Sequence, residues 1–146
     1  YNTWVSRISV DDTDQKILSI LKKDGRASYR EIARSVGLSE TAVRKRISNM
    51  IRKGIIRRFS VEYVLSDEAR ALVLVKTTPP TKTPEVAERI KSIEGVEAVY
   101  EVTGEHDIAV LVRGVGIGFI NRCIDAIRSI EGVVSTYTMI ILRAHI

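Results

Sequence analysis

Residues 28–54 read SYREIARSVGLSETAVRKRISNMIRKG and contain two helix starts, one tight turn and one helix stop. Ser28 followed three residues later by Glu31 fits a capping box: the serine oxygen accepts from an orphan N–H of the first turn and the glutamate returns the bond. Ile32, Ala33 and Val36 then fall on one helix face, and Gly37 supplies the left-handed residue that closes the helix. Ser39 caps the next helix and Glu40 complements its dipole. Val43, Ile47, Met50 and Ile51 make an inward stripe that runs up to the stop at Gly54. Two short helices joined by a turn of about three or four residues containing Gly are the pattern of a helix-turn-helix, whose second helix enters the major groove of DNA.

Upstream, Asp11-Asp12-Thr13-Asp14 places acidic groups at the start of a further helix carrying Ile17, Ile20 and Leu21, which ends at Asp24-Gly25. The outward face of the last helix of the three carries Thr41, Arg44, Lys45 and Ser48, with Arg46, Arg52, Lys53, Arg57 and Arg58 close by. From Ser39 to Arg58 there are seven basic residues against one acidic. A charge run alone is usually a solvated face; the capped helix pair and the Gly37 turn give this one a direction. Lys and Arg neutralise phosphates, and Arg also pairs with guanine edges. The expected contacts with double-stranded DNA are therefore Thr41, Arg44 and Lys45 at the bases, and Arg46, Arg52 and Lys53 at phosphates or the groove edge. Ser28, Tyr29 and Ser39 hold phosphates through hydroxyls and helix N-termini, with Glu40 beside them. Ile55–Phe59 alternates weakly and reads either as a short wing strand or as the exit from the domain.

The composition sets bounds. The chain has 146 residues, 45% apolar and 28% charged, the balance of a globular protein with a core of its own. A single cysteine, Cys123, rules out an intrachain disulfide, and with two histidines it cannot supply a Cys/His zinc cage. No apolar run has the roughly 18 residues of a membrane span, and Tyr1–Val10 shows no basic segment leading into an apolar signal core. The expected address is the cytoplasm, with no membrane partner. The net charge of +5 is unevenly placed: 14 Lys and Arg against 7 Asp and Glu through Glu62 give +7, and 9 against 11 from Tyr63 onward give −2. A polyanion partner is thus expected for residues 1–62 only, and residues 63–146 are expected to form a second domain.

That second part contains a repeat. Ile90-Lys91-Ser92-Ile93-Glu94-Gly95-Val96 and, 37 positions later, Ile127-Arg128-Ser129-Ile130-Glu131-Gly132-Val133 share six of seven residues, and Tyr100 and Tyr137 extend the match. Each copy is a helix end, a Gly stop and a strand start. The expected pieces are strands at 70–77, 96–103, 107–113 and 133–143 and helices at 85–93 and 117–130. Their order is the split βαβ, ferredoxin-like arrangement, one antiparallel sheet with both helices on one face. The bare face is the expected dimer surface. Thr103-Gly104-Glu105-His106-Asp107 forms the turn between the middle strands. Asp107 there either accepts from the turn's own N–H groups or belongs to a cradle for a carboxylate. Hydroxyls at Ser135, Thr136 and Thr138 either decorate an exposed strand or touch a small polar ligand. His106 and His145 read as surface histidines, and Cys123 as a buried small hydrophobe. No G-x-S-x-G, no Gly-rich phosphate loop with Lys and no distinctive carboxylate pair is present, so neither catalysis nor a cofactor is expected.

With both parts read, the chain resembles the Lrp/AsnC, or feast/famine, family of transcriptional regulators. The resemblance rests on DDTDQKILSILKKDGRASYREIARSVGLSETAVRKRISNMIRKGIIRRF in front and on VYEVTGEHDIAVLV and EGVVSTYTMIIL behind. It implies an α+β protein: an N-terminal winged helix-turn-helix, a linker strand, and a C-terminal ferredoxin-like βαββαβ domain. That domain forms a homodimer through its sheets, and the dimers assemble to octamers. It further implies a free amino acid as effector, contacting Tyr100, the turn from Thr103 through Gly104, Glu105 and His106 to Asp107, and Ser135, Thr136 and Thr138. The order of features is similar to an archaeal branch resembling regulators of lysine biosynthesis, which implies a basic effector such as lysine. Glu101, Glu105 and Asp107 are the carboxylates at hand for its cationic end. Two rivals stand beside this reading: a constitutive architectural DNA-binding protein whose second domain only oligomerises, and an acylphosphatase-like enzyme. The second of these needs a basic anion cradle that the net-negative half lacks.

Overall fold

A computed structural model of the chain describes residues 10–146; the reading of Tyr1–Ser9 lies outside the described residues. The chain divides into two compact units, the first ending at Tyr63 and the second starting at Val64.

The first unit holds three helices, α1 (Asp12–Lys23), α2 (Tyr29–Val36) and α3 (Glu40–Arg52). Each begins on a side-chain cap: Asp11 accepts from the Asp14 N–H at 2.8 Å, Ser28 from Glu31 at 3.1 Å and Ser39 from Ala42 at 3.1 Å. The capping box is complete, with the Ser28 N–H donating to Glu31 Oε2 at 2.9 Å. Gly37 ends α2 at φ 72°, a left-handed conformation that costs a side-chain-bearing residue about 1 kcal/mol. Gly37 and Leu38 N–H both donate to the Ala33 carbonyl, which tightens the turn into α3. Ile17, Ile32, Ala33, Val43, Ile47 and Met50 make the core, each fully buried large side chain contributing roughly 1.5–3 kcal/mol. Ile51, expected in the inward stripe, is 48% exposed; it sits one residue past Met50, at the edge of the stripe where the helix turns toward solvent. Residues 53–67 form no strand, so Ile55–Phe59 is an exit segment and the linker strand is not formed within this chain.

The second unit runs β1 (Glu68–Thr77), α4 (Thr83–Lys91), β2 (Val96–Glu101), β3 (Ile108–Val115), α5 (Gly116–Arg128) and β4 (Val133–Ile140). The strands form one antiparallel sheet in the order β2-β3-β1-β4, with α4 packed on β2 and α5 across β3, β1 and β4. This is the ferredoxin-like arrangement. Ala71, Val73 and Val75 of β1 and Ile108, Val110 and Val112 of β3 point toward the helices and meet Val86, Ile90, Ile120, Ile124 and Ile127. Strand alternation sends Leu72, Leu74, Ala109 and Leu111 to the other face, which no helix of this unit covers.

The sequence repeat is a structural repeat. Gly95 and Gly132 have φ 92° and 96°, and the carbonyl of each accepts a backbone N–H, from Arg113 of β3 at 2.8 Å and from Thr78, just past β1, at 2.9 Å. Phe119 fills the space beside Gly95 and Gly114, and Thr81 the space beside Gly132. At the start of β1, Arg70 and Arg113 are register partners on the bare face, a like-charged pair that would repel. Acidic residues resolve the conflict: Arg113 Nε lies 3.0 Å from Glu97 and 3.2 Å from Glu68, and Arg70 lies 3.9 Å from Glu97.

Candidate nucleic-acid interface and effector site

The Gly37 turn sets α2 and α3 against α1 so that the apolar stripe of α3 is buried and its opposite side is free. Thr41, Arg44, Lys45 and Ser48 are exposed on that side, with Glu40 at its start and Arg52 and Lys53 at its end. These side chains form one basic surface, with hydrogen-bond donors arranged for phosphate and base edges. Ser28 and Ser39 each accept one cap hydrogen bond, and their hydroxyl protons remain for an acceptor such as phosphate. The ring of Tyr29, the first residue of α2, lies under the Arg44 guanidinium, 4.8 Å from centroid to Cζ. Arg52 donates to Asn49 Oδ1 at 3.1 Å, which orients it along the helix end.

Arg46 departs from its expected place among the phosphate contacts. Its Nη1 donates to Asp11 Oδ2 at 2.7 Å and to Asp14 Oδ1 at 3.1 Å, so its charge is matched inside the domain and it ties α3 to the start of α1. The guanidinium hydrogen bond, helped by the Asp14 backbone N–H, holds the Asp11 carboxyl below the usual aspartate range, and the two carboxylates raise Arg46 in turn. Nothing local signals this pair, because 35 residues separate Arg46 from Asp11.

In the second unit the turn between β2 and β3 is closed by the Val102 N–H donating to the Asp107 carbonyl at 2.9 Å, with Gly104 at φ 114°. Thr103, Gly104 and Glu105 are exposed, as are Tyr100 and Glu101 just before them. Asp107 does not cap its own turn. Its Oδ2 accepts from the Thr77 N–H at 2.8 Å and from the Thr77 hydroxyl at 3.2 Å, which itself meets Thr83 Oγ1 at 3.0 Å. The Thr77 backbone bond is the main cause that holds the Asp107 carboxyl below its ordinary value, assisted by the Thr77 hydroxyl and the nearby Lys76 and His106. Lys76 Nζ donates to the Glu105 carbonyl at 3.1 Å. His106 is half-buried rather than fully at the surface, its ring 6.4 Å from that of Tyr137, whereas His145 is exposed.

The three hydroxyls of β4 do not share a face. Lys76 is the register partner of Ser135, which puts Ser135 with Tyr137 and Met139 on the bare side of the sheet. Thr136 and Thr138 point to the helix side, where Thr136 Oγ1 accepts from Arg128 Nε at 3.0 Å and Thr138 lines a groove with Ile120, Ile124 and Arg128. Tyr100, Ala109, Leu74 and Tyr137 form one cross-strand row. Three strand spacings put the two tyrosines roughly 14 Å apart. The turn therefore has Lys76 and, through His106, Tyr137 beside it, with Ser135 next to Lys76 in the register, whereas Thr136 and Thr138 lie on the other face of the sheet and Tyr100 lies three strand spacings away from Tyr137. Lys76 and Thr77 escape a linear reading because they reach the turn only through the β1–β3 pairing. Cys123 is buried as a small hydrophobe, its thiol raised by burial and donating to the Glu94 carbonyl at 3.1 Å.

A family model described as winged helix-turn-helix DNA-binding matches residues 10–57, and one described as the Lrp/AsnC ligand binding domain matches residues 70–146. The chain is 55% identical to the HTH-type transcriptional regulator LysM of Saccharolobus solfataricus over 92% of this chain and 95% of that one. It is 52% identical to LysM of Sulfurisphaera tokodaii over 92% and 96%. Both are archaeal transcriptional regulators and neither is named as an enzyme. Among solved structures, E. coli AsnC is 25% identical with a TM-score of 0.77, over 94% of this chain and 95% of that one. The feast or famine regulatory protein of M. tuberculosis complexed with L-methionine is 29% identical with a TM-score of 0.82, over 93% and 94%. No helix among the described residues is long and apolar enough to cross a membrane.

Proposed function

This chain belongs to the Lrp/AsnC family of DNA-binding transcriptional regulators, and on that premise we propose that it is a sequence-specific regulator whose DNA affinity or assembly responds to a free amino acid. A homodimer formed through the bare sheet faces sets two copies of α3 in successive major grooves, about 34 Å apart, on a roughly palindromic site. Dimers assemble further to an octamer. The observation that carries the reading is the free basic side of α3, with Thr41, Arg44 and Lys45 exposed on a helix whose other side is locked into the core. Arg44 and Lys45 read or approach bases, and Arg52, Lys53 and the serine hydroxyls of the two caps contact phosphates.

The amino-acid effector sits at the 103–107 turn. A relative complexed with L-methionine supports an amino acid as the class. Lys76 supplies a cation for the ligand carboxylate, and Glu101 and Glu105 supply exposed carboxylates for an ammonium group, which favours a basic amino acid such as lysine. Asp107 is already engaged by Thr77 and acts as the anchor of the turn.

The test of the DNA reading is Arg44→Ala. A selected duplex should lose affinity by roughly 1–3 kcal/mol, with a smaller loss on random sequence. Equal losses on the two duplexes would remove Arg44 from base reading.

A further inference from the structure

Arg44 stands apart from the other arginine on the same helix whose contacts are defined by charge. Arg46 is gripped by two carboxylates, whereas among the described residues Arg44 has no carboxylate partner and its guanidinium lies instead over the ring of Tyr29, 4.8 Å from the centroid. The backbone of Tyr29 in turn is fixed. It is the first residue of α2, directly after the capping box in which Ser28 and Glu31 exchange two hydrogen bonds, and its exposed ring stands at the surface beside α3. Its ring thus comes from the helix before the turn and supports a side chain of the helix after it.

We infer that Tyr29 is a positioning residue for base reading: its ring, not its hydroxyl, holds the Arg44 guanidinium ready for the groove before DNA arrives. The geometry suits the task. A guanidinium held over a ring face is attracted by the ring quadrupole, a contact that takes no acceptor and so leaves its hydrogen-bonding capacity for another partner. Paired bonds to guanine O6 and N7 use that capacity. An arginine with many rotamers loses less freedom on binding when one orientation is already selected, so the platform improves recognition without touching DNA. The inference rests on the proposed role of Arg44 and adds a second residue to it.

The test uses the full chain, a duplex selected from a random library by the unaltered protein, and a scrambled duplex of equal length. Tyr29→Phe keeps the ring and should stay within about twofold of the parent on both duplexes. Tyr29→Leu should weaken the selected duplex about two- to fivefold, with little change on the scrambled one. In an Arg44→Ala background, Tyr29→Leu should add nothing. In the free protein, the Arg44 δ-proton resonances should be shifted by the ring current in the parent and in Tyr29→Phe, and should return to ordinary positions in Tyr29→Leu. A Phe variant as weak as the Leu variant would overturn the inference in favour of a hydroxyl-to-phosphate contact. Equal loss on both duplexes, a loss that persists without Arg44, or unmoved Arg44 resonances would overturn it too. An Arg44→Ala variant with an unchanged ratio between duplexes is a different failure, which removes the base-reading role and this inference with it.

Discussion

Asp107 shows how one side chain can look like a ligand group and behave as a fastener. Its carboxylate takes two hydrogen bonds from Thr77, one of them from a partly buried backbone N–H. Replacing it with Ala strands that N–H, and we expect a loss of about 1–3 kcal/mol at pH 7, read by chemical denaturation. The carboxyl is held below its ordinary value of 3.8. The folded state therefore binds fewer protons than the unfolded chain near that pH. The contribution is present well above 3.8 and is lost as pH falls through the lower folded value, so the gap between Asp107→Ala and the parent should narrow as pH is taken progressively below 3.8. A gap that is constant with pH would mean that the charge on Asp107 does not contribute. The Arg46 pair follows the same sign: Asp11 is also held low, so the link from α3 to α1 weakens on the acid side.

At the scale of elements, glycines and one aromatic ring decide how closely α5 approaches the sheet. A Cβ on Gly114 would fall within the ring of Phe119, and one on Gly95 would meet the same ring. Gly114→Ala should cost about 1–3 kcal/mol by overpacking, and Phe119→Leu in the same chain should recover part of it; a neutral Gly114→Ala in thermal melting would refute the close packing. The helices of the first unit were legible because their signals are local: Asp11, Ser28 and Ser39 as caps and Gly37 as a stop. The second unit was legible through its repeat, since both copies fold the same Gly turn into a strand. Boundaries moved where a neighbour intervened. Pro84 sits at the first positions of α4, which begins at Thr83 rather than Glu85, and Ser92 and Ser129 turn out of the helices that were expected to run past them. The faces of β4 could not be read, because Thr136 and Thr138 alternate with Tyr137 and Met139 and neither set is clearly apolar. A register shift between Lys76 and Thr77 adds to the ambiguity. The pairing of Arg46 and the roles of Lys76 and Thr77 escape the sequence for one reason: their partners are close in space and far along the chain.

The whole molecule divides its charge as it divides its work. The +7 of the first part lies with the helix that needs phosphate, and the −2 of the second lies around a sheet that, on our proposal, meets its own copy. Within one chain the bare face exposes Tyr100, Tyr137 and Met139 around half-buried Leu72, Leu74 and Leu111, an apolar surface with a charged cluster at the Arg70 end. On our proposal the effector site takes residues from more than one chain, because Tyr100 lies roughly 14 Å from Tyr137 across the sheet, so assembly and ligand binding should be coupled. Leu74 lies in the middle of the row joining the two tyrosines, and Leu74→Arg should reduce the solution mass of the parent oligomer by placing an unpaired charge on a self-complementary face. Each of the twenty amino acids can then be added to both proteins. The effector, at about 100 times its Kd, should stabilise the parent by about 2.7 kcal/mol, and basic amino acids should lead the series. A ligand shifts assembly only through unequal affinity for the assembled and separated forms, so the same amino acid should stabilise Leu74→Arg much less. Equal stabilisation of the two proteins would place the effector within one chain. No stabilisation of the parent by any of the twenty would leave the second unit as an assembly domain alone.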